Sequence, residues 1–434
     1  MRIGCGAGFA GDRIEPALDL VRRGELDYLV FECLAERTLA LAQLRIRSGG
    51  AGYDPLLRMR LQAVLPDAVA RGVRIITNAG AADPVSAGRM IAALAEEQGL
   101  QITVGIIEGD DVIDVIGDAA RTAEEDRPLE EYGALLSANA YLGSAPIVEA
   151  LELGADVVVT GRVADAALFV APALFHHSAG LDDAAFLANA TVMGHLLECG
   201  AQVTGGYFAD GGVQQVPGLE RVGLPIADVQ ADGSFTLSVT PGAGGAVTRH
   251  IVIEQLLYEI TDPHAYITPD AVIDVTEVEV VERGDGTVHV RTRLPAGDAP
   301  LTLKASVGYD AGFVVEGEIS YMGARHGIRG GMARGVLERR LSDVETLTLE
   351  RLSGTLEDAR GGRYGCTRLR VAGRAAHRSD AERIAQEIGA LYTTGPAGGA
   401  GIRTSIEPLI GIVSVLLDRS LIRPRVSLLG EGTR

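Results

Sequence analysis

The sequence predicts an α/β protein: an N-terminal Rossmann-like parallel sheet with helices, followed by a second, mixed α/β domain with antiparallel hairpins. Three observations predict it. Five apolar strands in the first 170 residues, at 2–8, 28–33, 75–80, 104–111 and 157–162, each run straight into a turn of glycine and polar residues. Segments of helical periodicity separate them, and strands that alternate with helices form a parallel sheet. After about residue 212 the pattern turns to alternation, and 278–283 and 287–292 flank Gly284-Asp285-Gly286, a hairpin signal. The expected domains are 1–212, carrying the site, and 213–434, closing it.

In chain order, helices are expected over 14–23, 35–48, 55–71, 84–98, 130–137, 144–153 and 184–200. Pro84 suits a first helical turn behind Asp83 as N-cap, and Pro146 follows Ser144 in the same way. The stretch 241–258 reads as a glycine-rich loop and a helix, and 301–307 with 313–321 as another antiparallel pair. From 328 onward the pattern returns to helix, strand (367–371), helix (380–391) and a glycine-rich loop at 393–401. There is no internal repeat and no low-complexity segment.

Composition narrows the function classes. The chain has 434 residues, is 47% hydrophobic and carries a formal net charge of -19. That charge argues against nonspecific binding to nucleic acid or anionic membranes, and an anionic substrate would need locally placed cations. No apolar run reaches the roughly 18 residues that span a bilayer. The first residues already read as a strand, so no signal peptide is expected. Four cysteines without a CxxC pair fit a reducing cytoplasm and offer no zinc framework.

In a parallel sheet ligands bind at the carboxyl ends of the strands, so Glu32, Asn78, Glu108, Asp110 and Arg162 should converge. Gly6-Ala7-Gly8-Phe9-Ala10-Gly11 matches GxGxxG after a strand. It reads either as a dinucleotide loop or as a tight turn on the site's rim, and Asp12 would oppose a pyrophosphate there. Glu32 ends an apolar strand, so it is either a desolvated general acid/base with a raised pKa or the partner of Arg37 or Arg162. Cys5 and Cys33 are candidate thiols or small apolar filler. Glu108, Asp110 and Asp111 offer oxygen ligands for a divalent ion, a substrate contact, or an acidic N-cap cluster before a helix around 112–118. No metal is assigned.

Arg162 is the best anion anchor, held by Asp165, with a structural Arg–Asp pair as the rival. His195 and Glu198, three apart, share a helix face as an acid/base pair or a local ion pair. His176-His177 reads as surface loop. Asn78 and Asn139 could polarise a carbonyl.

The runs GCGAGFAGDR, DYLVFECLAERT, ITNAGAA, EGDDV, ADVVVTGRVAD and GHLLECGAQVTGGYFAD, with EQLLYE, DPHAYITPD and FVVEGEISY later, together resemble the acyclic terpene utilisation (AtuA) family. The resemblance covers at least 1–325. It implies bacterial catabolism of acyclic terpenoids such as citronellol and geraniol through acyl-CoA intermediates. It also implies a small ferredoxin-like α+β module after the core or as a partner subunit, of which the sequence shows no obvious copy.

The resulting expectation is a cytoplasmic, homo-oligomeric enzyme acting on an anionic carboxylate or acyl-CoA, a hydro-lyase or isomerase that needs no organic cofactor. Glu32, His195 and Glu198 are its expected catalytic groups. Gly6, Gly8, Asn78, Asp110, Asn139, Arg162 and Asp165 are its expected substrate contacts. The rivals are an NAD(P)-dependent oxidoreductase, resting on the glycine pattern, and a noncatalytic acyl-binding or scaffold subunit.

Overall fold

The computed structural model describes residues 1–117, 120–357 and 359–430. It is a mixed α/β structure with parallel and antiparallel pairing. The chain runs β1 (Arg2–Ala7), α1 (Glu15–Arg23), β2 (Tyr28–Phe31), α2 (Glu36–Arg47), α3 (Leu57–Arg71), β3 (Arg74–Thr77), α4 (Pro84–Glu97) and β4 (Val104–Glu108). Next come β5 (Leu135–Ala140), α5 (Ala145–Glu152), β6 (Val157–Thr160), α6 (Ala167–His177), α7 (Ala184–Glu198), β7 (Pro225–Val229), β8 (Phe235–Val239) and α8 (Arg249–Leu257). The short β9 (Tyr266–Ile267) and β10 (Val272–Ile273) precede β11 (Val278–Glu282), β12 (Val288–Thr292) and the long β13 (Thr302–Met322). The chain closes with α9 (His326–Arg340), β14 (Thr348–Glu357), β15 (Arg363–Ala375), α10 (Arg378–Thr394), β16 (Gly399–Asp418) and β17 (Arg425–Leu429).

Two compact units divide these elements. The first takes residues 1–130, 136–308 and those from 412 onward, and the second takes 131–135 and 309–411. The boundary expected near 212 coincides with neither, because later strands complete the first sheet. That sheet has ten strands in the order β11-β12-β8-β7-β1-β2-β3-β6-β4-β17. The five strands read from the sequence are its centre, and all pair in parallel. β7 joins β1 antiparallel and β17 joins β4 antiparallel. The order differs from the 3-2-1-4-5-6 of a dinucleotide fold. The parallel strands all lie to one side of β1, whose other side is taken by β7.

Apolar faces explain this packing. Leu20, Phe31, Leu61, Leu65, Ile75, Ile91, Ile106 and Val159 form one buried cluster between the sheet and α1, α3 and α4. Each such side chain contributes about 1.5–3 kcal/mol on burial. Asp83 caps α4 as expected, accepting from the Ser86 amide at 2.9 Å with Pro84 in the first turn. Ser144 makes no side-chain cap on α5; its amide donates to Asp270 instead, at 2.9 Å. The expected hairpin is β11–β12.

Four expectations fail. The segment read as a helix over 130–137 yields a short 3-10 turn and β5, because pairing with β13 overrides the helical preference of its Leu and Ala residues. The pair expected at 301–307 and 313–321 is one continuous strand, with Gly312 at φ +97 passing the bend that reads as a turn. His176 and His177 do lie at the surface, exposed and half-buried, but on the last turn of a helix rather than a loop; its residues Ala167–Leu174 are all buried, so no polar face marks it. Residues 112–117 form turns rather than a helix; residue 118 lies outside the described residues.

The second unit follows the order strand, helix, strand, strand, helix, strand (β13-α9-β14-β15-α10-β16), with sheet order β14-β15-β13-β16. Numbered within the unit this is 2-3-1-4, the ferredoxin-like split βαβ arrangement. A module of this topology is therefore present inside the chain. Its own core includes Val315, Ile319, Leu337, Leu369, Val371, Ile384 and Leu391. No helix of the described residues is long and apolar enough to cross a membrane.

Candidate functional site

The carboxyl ends of β2, β3 and β6 bring four of the expected residues into one buried network. Glu32 Oε1 accepts from the Leu34 amide and from Asn78 Nδ2, both at 2.8 Å, while Asn78 Oδ1 accepts from the Cys33 amide at 2.7 Å. Arg162 is buried, and all three of its nitrogens are engaged. Nε donates to the Val163 carbonyl at 2.9 Å, one terminal nitrogen to the Leu34 carbonyl, and the other to Asp165 Oδ1. The guanidinium carbon also stands 4.4 Å from the centre of the Tyr141 ring. Arg162 is thus structural rather than an open anion anchor: its fork is spent on the chain itself.

Burial pushes the Glu32 carboxyl up to about 7, against the pull of Arg162, Asn78 and the Leu34 amide. The raised value expected from its place at the end of an apolar strand is present. Asp165 is also pushed up by burial and by Glu32, Glu198 and Glu36 around it, although Arg162 pulls it down. Two carboxyls therefore share one buried cation, which favours retaining a proton between them.

Asp110 lies beside this network as a clamp. Its Oδ2 accepts from the Arg162 amide and from Asn139 Nδ2, both at 2.8 Å, and burial raises it to about 6. Gly161 permits this approach, since a Cβ there would lie 2.5 Å from Asp110 Oδ1. Among the described residues no group of three or more His, Cys, Asp or Glu is placed to hold a metal ion.

Gly8 and Gly6 serve packing. A Cβ on Gly8 would lie 2.2 Å from the Cys199 carbonyl carbon, and one on Gly6 2.5 Å from the Phe31 ring. The Gly8 amide donates to Asp12 at 2.9 Å. The glycine loop thus spends its close approach and this amide on the protein itself, and it has the features of a tight turn rather than of a pyrophosphate cradle. Cys33 is buried against Arg60, whose Nη1 stands 3.0 Å from its sulfur, and burial pushes the thiol up. Cys5 is likewise buried with a raised pKa. Neither environment makes a thiolate.

A cavity of about 620 Å³ opens in the first unit, next to this network. Of the expected residues, Asp165, His195 and Glu198 line it; Glu32, Asn78, Asp110, Asn139 and Arg162 do not. Asp165 is 35% exposed where Arg162 is 1% exposed, so Asp165 alone carries the network to the cavity surface. His195 Nδ1 faces Glu198 Oε1 at 3.2 Å and Nε2 faces the Leu256 carbonyl at 3.1 Å. Two acceptors on one ring favour the imidazolium. Burial alone would lower the pKa, but the hydrogen bond and charge of Glu198 outweigh it and leave it raised. Held this way, His195 has no free nitrogen for a substrate proton, and the local ion-pair reading fits the geometry better.

The residues missed from the sequence lie on the same wall. The Tyr141 hydroxyl donates to Glu36 Oε1, and Lys304 Nζ is 3.6 Å from that oxygen and 5.0 Å from the centre of the Tyr141 ring. Burial would raise Glu36, but Tyr141, Arg162 and Lys304 hold it below the usual carboxylate value. Lys304 carried a signal that a simple count would have found: of 39 basic residues, it is the only lysine. Five carboxylates (Glu36, Glu124, Asp165, Glu198 and Glu259) line the cavity against Lys304 and His195, while Ala164, Ile267, Pro269, Leu303 and Leu416 supply apolar wall.

A model of the family described as "Acyclic terpene utilisation family protein AtuA" matches residues 1–428. No curated protein and no solved structure matches the chain.

Proposed function

We propose, from the premise that the chain belongs to the acyclic terpene utilisation AtuA family, that it is an enzyme moving protons next to a substrate carbonyl in the cavity at the carboxyl ends of β2 and β6. Hydration, dehydration and isomerisation are the reaction types this chemistry serves. Family membership suggests a role in acyclic terpene utilisation, and an apolar wall suits a branched hydrocarbon chain.

The observation that carries the reading is Asp165. It is the one member of the buried Glu32–Arg162 network that reaches the cavity, and its carboxyl is pushed up by its surroundings. A carboxyl held above its ordinary value keeps its proton more readily than a free one and so suits a general acid. Arg162 fixes its orientation, and Glu32 behind it supplies a second carboxyl whose ionisation offsets the pull of the shared cation on Asp165. His195–Glu198 and Tyr141–Glu36 are positioning pairs in the cavity wall. The excess of carboxylates favours a neutral carbonyl over a free carboxylate; an acyl thioester would have to keep its phosphates outside the cavity.

The test is proton exchange in D2O, with acyclic unsaturated C10 aldehydes and acyl thioesters as substrates and deuterium uptake read by mass spectrometry. Asp165→Asn should lower the rate about 10²–10⁴-fold with binding largely kept. Glu32→Gln should cost less, because it does not face the substrate. Substrates that bind without exchange or hydration would favour the noncatalytic binding-subunit reading.

A further inference from the structure

We infer that Lys304 is a nucleophile: its amine forms an imine with the carbonyl of an aldehyde or ketone held in the cavity. The starting point is a substitution pattern within one chain. Thirty-eight of 39 basic residues are arginine, including the partners in nearly all the ion pairs, such as Arg2–Asp228, Arg22–Asp67 and Arg340–Glu387. Wherever this protein needs a fixed positive charge it uses guanidinium. Arginine stays protonated in proteins and does not act as an amine nucleophile, whereas lysine loses its proton and attacks carbonyls. The one side-chain amine stands in the wall of the cavity.

The placement suits that chemistry. Lys304 sits on β13, where its own carbonyl accepts from the Tyr141 amide at 2.9 Å, so a strand rather than a loop fixes the base of the side chain. The side chain is 47% exposed, so its ammonium can pass a proton to water, while Glu36 Oε1, 3.6 Å from Nζ, positions it. The free amine then bonds to the carbonyl carbon while the C=O π pair moves to oxygen, which takes a proton from the carboxyl of Asp165. The extra proton on nitrogen passes to the carbinolamine hydroxyl, which leaves as water while the nitrogen lone pair forms the C=N bond. The result is a protonated imine, which makes the neighbouring C–H acidic. Asp165, now a carboxylate, removes that proton. Water later reverses the imine, and no oxidant or reductant enters. This deepens the reading of the cavity as a carbonyl site and commits it to aldehydes or ketones rather than thioesters.

The experiment treats the full chain with hexanal or a branched C10 aldehyde, reduces with borohydride, and maps the adduct by peptide mass spectrometry. Lys304 and the amino terminus are the only amines. The expected result is one reduced adduct at Lys304, forming at least about 100-fold faster than on N-α-acetyl-lysine, because the cavity holds the carbonyl beside the amine. Lys304→Arg should lose the adduct and the proton exchange while keeping its melting temperature and its thermal shift with the aldehyde. An adduct no faster than on the free amine, or full exchange in Lys304→Arg, would overturn the imine and leave the cavity as a proton-transfer site. No thermal shift with any carbonyl compound in either protein would overturn the cavity reading as well.

Discussion

Glu32 shows how a residue's ionisation can be legible in the sequence while its orientation is not. A carboxylate at the end of a strand with four buried residues must be desolvated, and its value of about 7 against an ordinary 4.5 follows. What the sequence does not carry is which way it faces. The turn after β2 directs Oε1 back to Leu34 and Asn78, so Asp165 meets the cavity instead. The sign of the linkage is definite. The folded state holds its proton to higher pH than the unfolded chain, so this contribution to stability is full below about pH 4.5. It falls as pH rises toward 7, by on the order of 2–4 kcal/mol. Glu32→Gln keeps an acceptor for both hydrogen bonds and removes the titration. Calorimetry should therefore find it melting higher than wild type at pH 8 and equal to it near pH 4.5. The same pH slope in both proteins would refute the assignment.

At the scale of elements, glycine patterns were legible as turns but ambiguous as to what approaches them. Gly8 lies against the backbone of Cys199 and Gly200, a contact between segments nearly two hundred residues apart that no local motif encodes. Gly8→Ala should destabilise by about 1–3 kcal/mol or more, since backbone must move to admit the methyl group; an unchanged melting temperature would show that the turn has room. Asp83, by contrast, was read directly from its spacing to Pro84. Asp83→Ala should cost about 1 kcal/mol through loss of the α4 cap, measurable by urea denaturation. α6 is apolar along Ala167–Leu174, and periodicity cannot reveal a helix without a polar face. β5 was missed for the converse reason: its partner in β13 lies some 165 residues away.

For the whole molecule, the parallel centre of the large sheet was legible because βα alternation is a local pattern, while the antiparallel additions were not, because pairing partners are set by topology. The second unit has the same property: each of its strands and helices is ordinary, and only the 2-3-1-4 order identifies it. Its apolar core lies within 309–411, although the unit also takes in the short segment 131–135. A polypeptide of residues 309–411 should therefore fold alone and melt cooperatively, as followed by circular dichroism. A featureless, noncooperative melt would mean that its core is not self-sufficient.

The pairing of β17 with β4 joins residues 104–108 to residues 425–429. On the ribosome, the flank of β4 stays bare until residues 425–429 have emerged, through roughly 300 further residues at 5–20 residues per second. An unpaired strand edge in a nascent chain is what chaperones shield and what neighbouring chains capture. Synthesis halted before residue 425 should accordingly yield product that accumulates in inclusion bodies or on holdases, whereas a chain that includes residues 425–429, with the edge covered, should stay out of both.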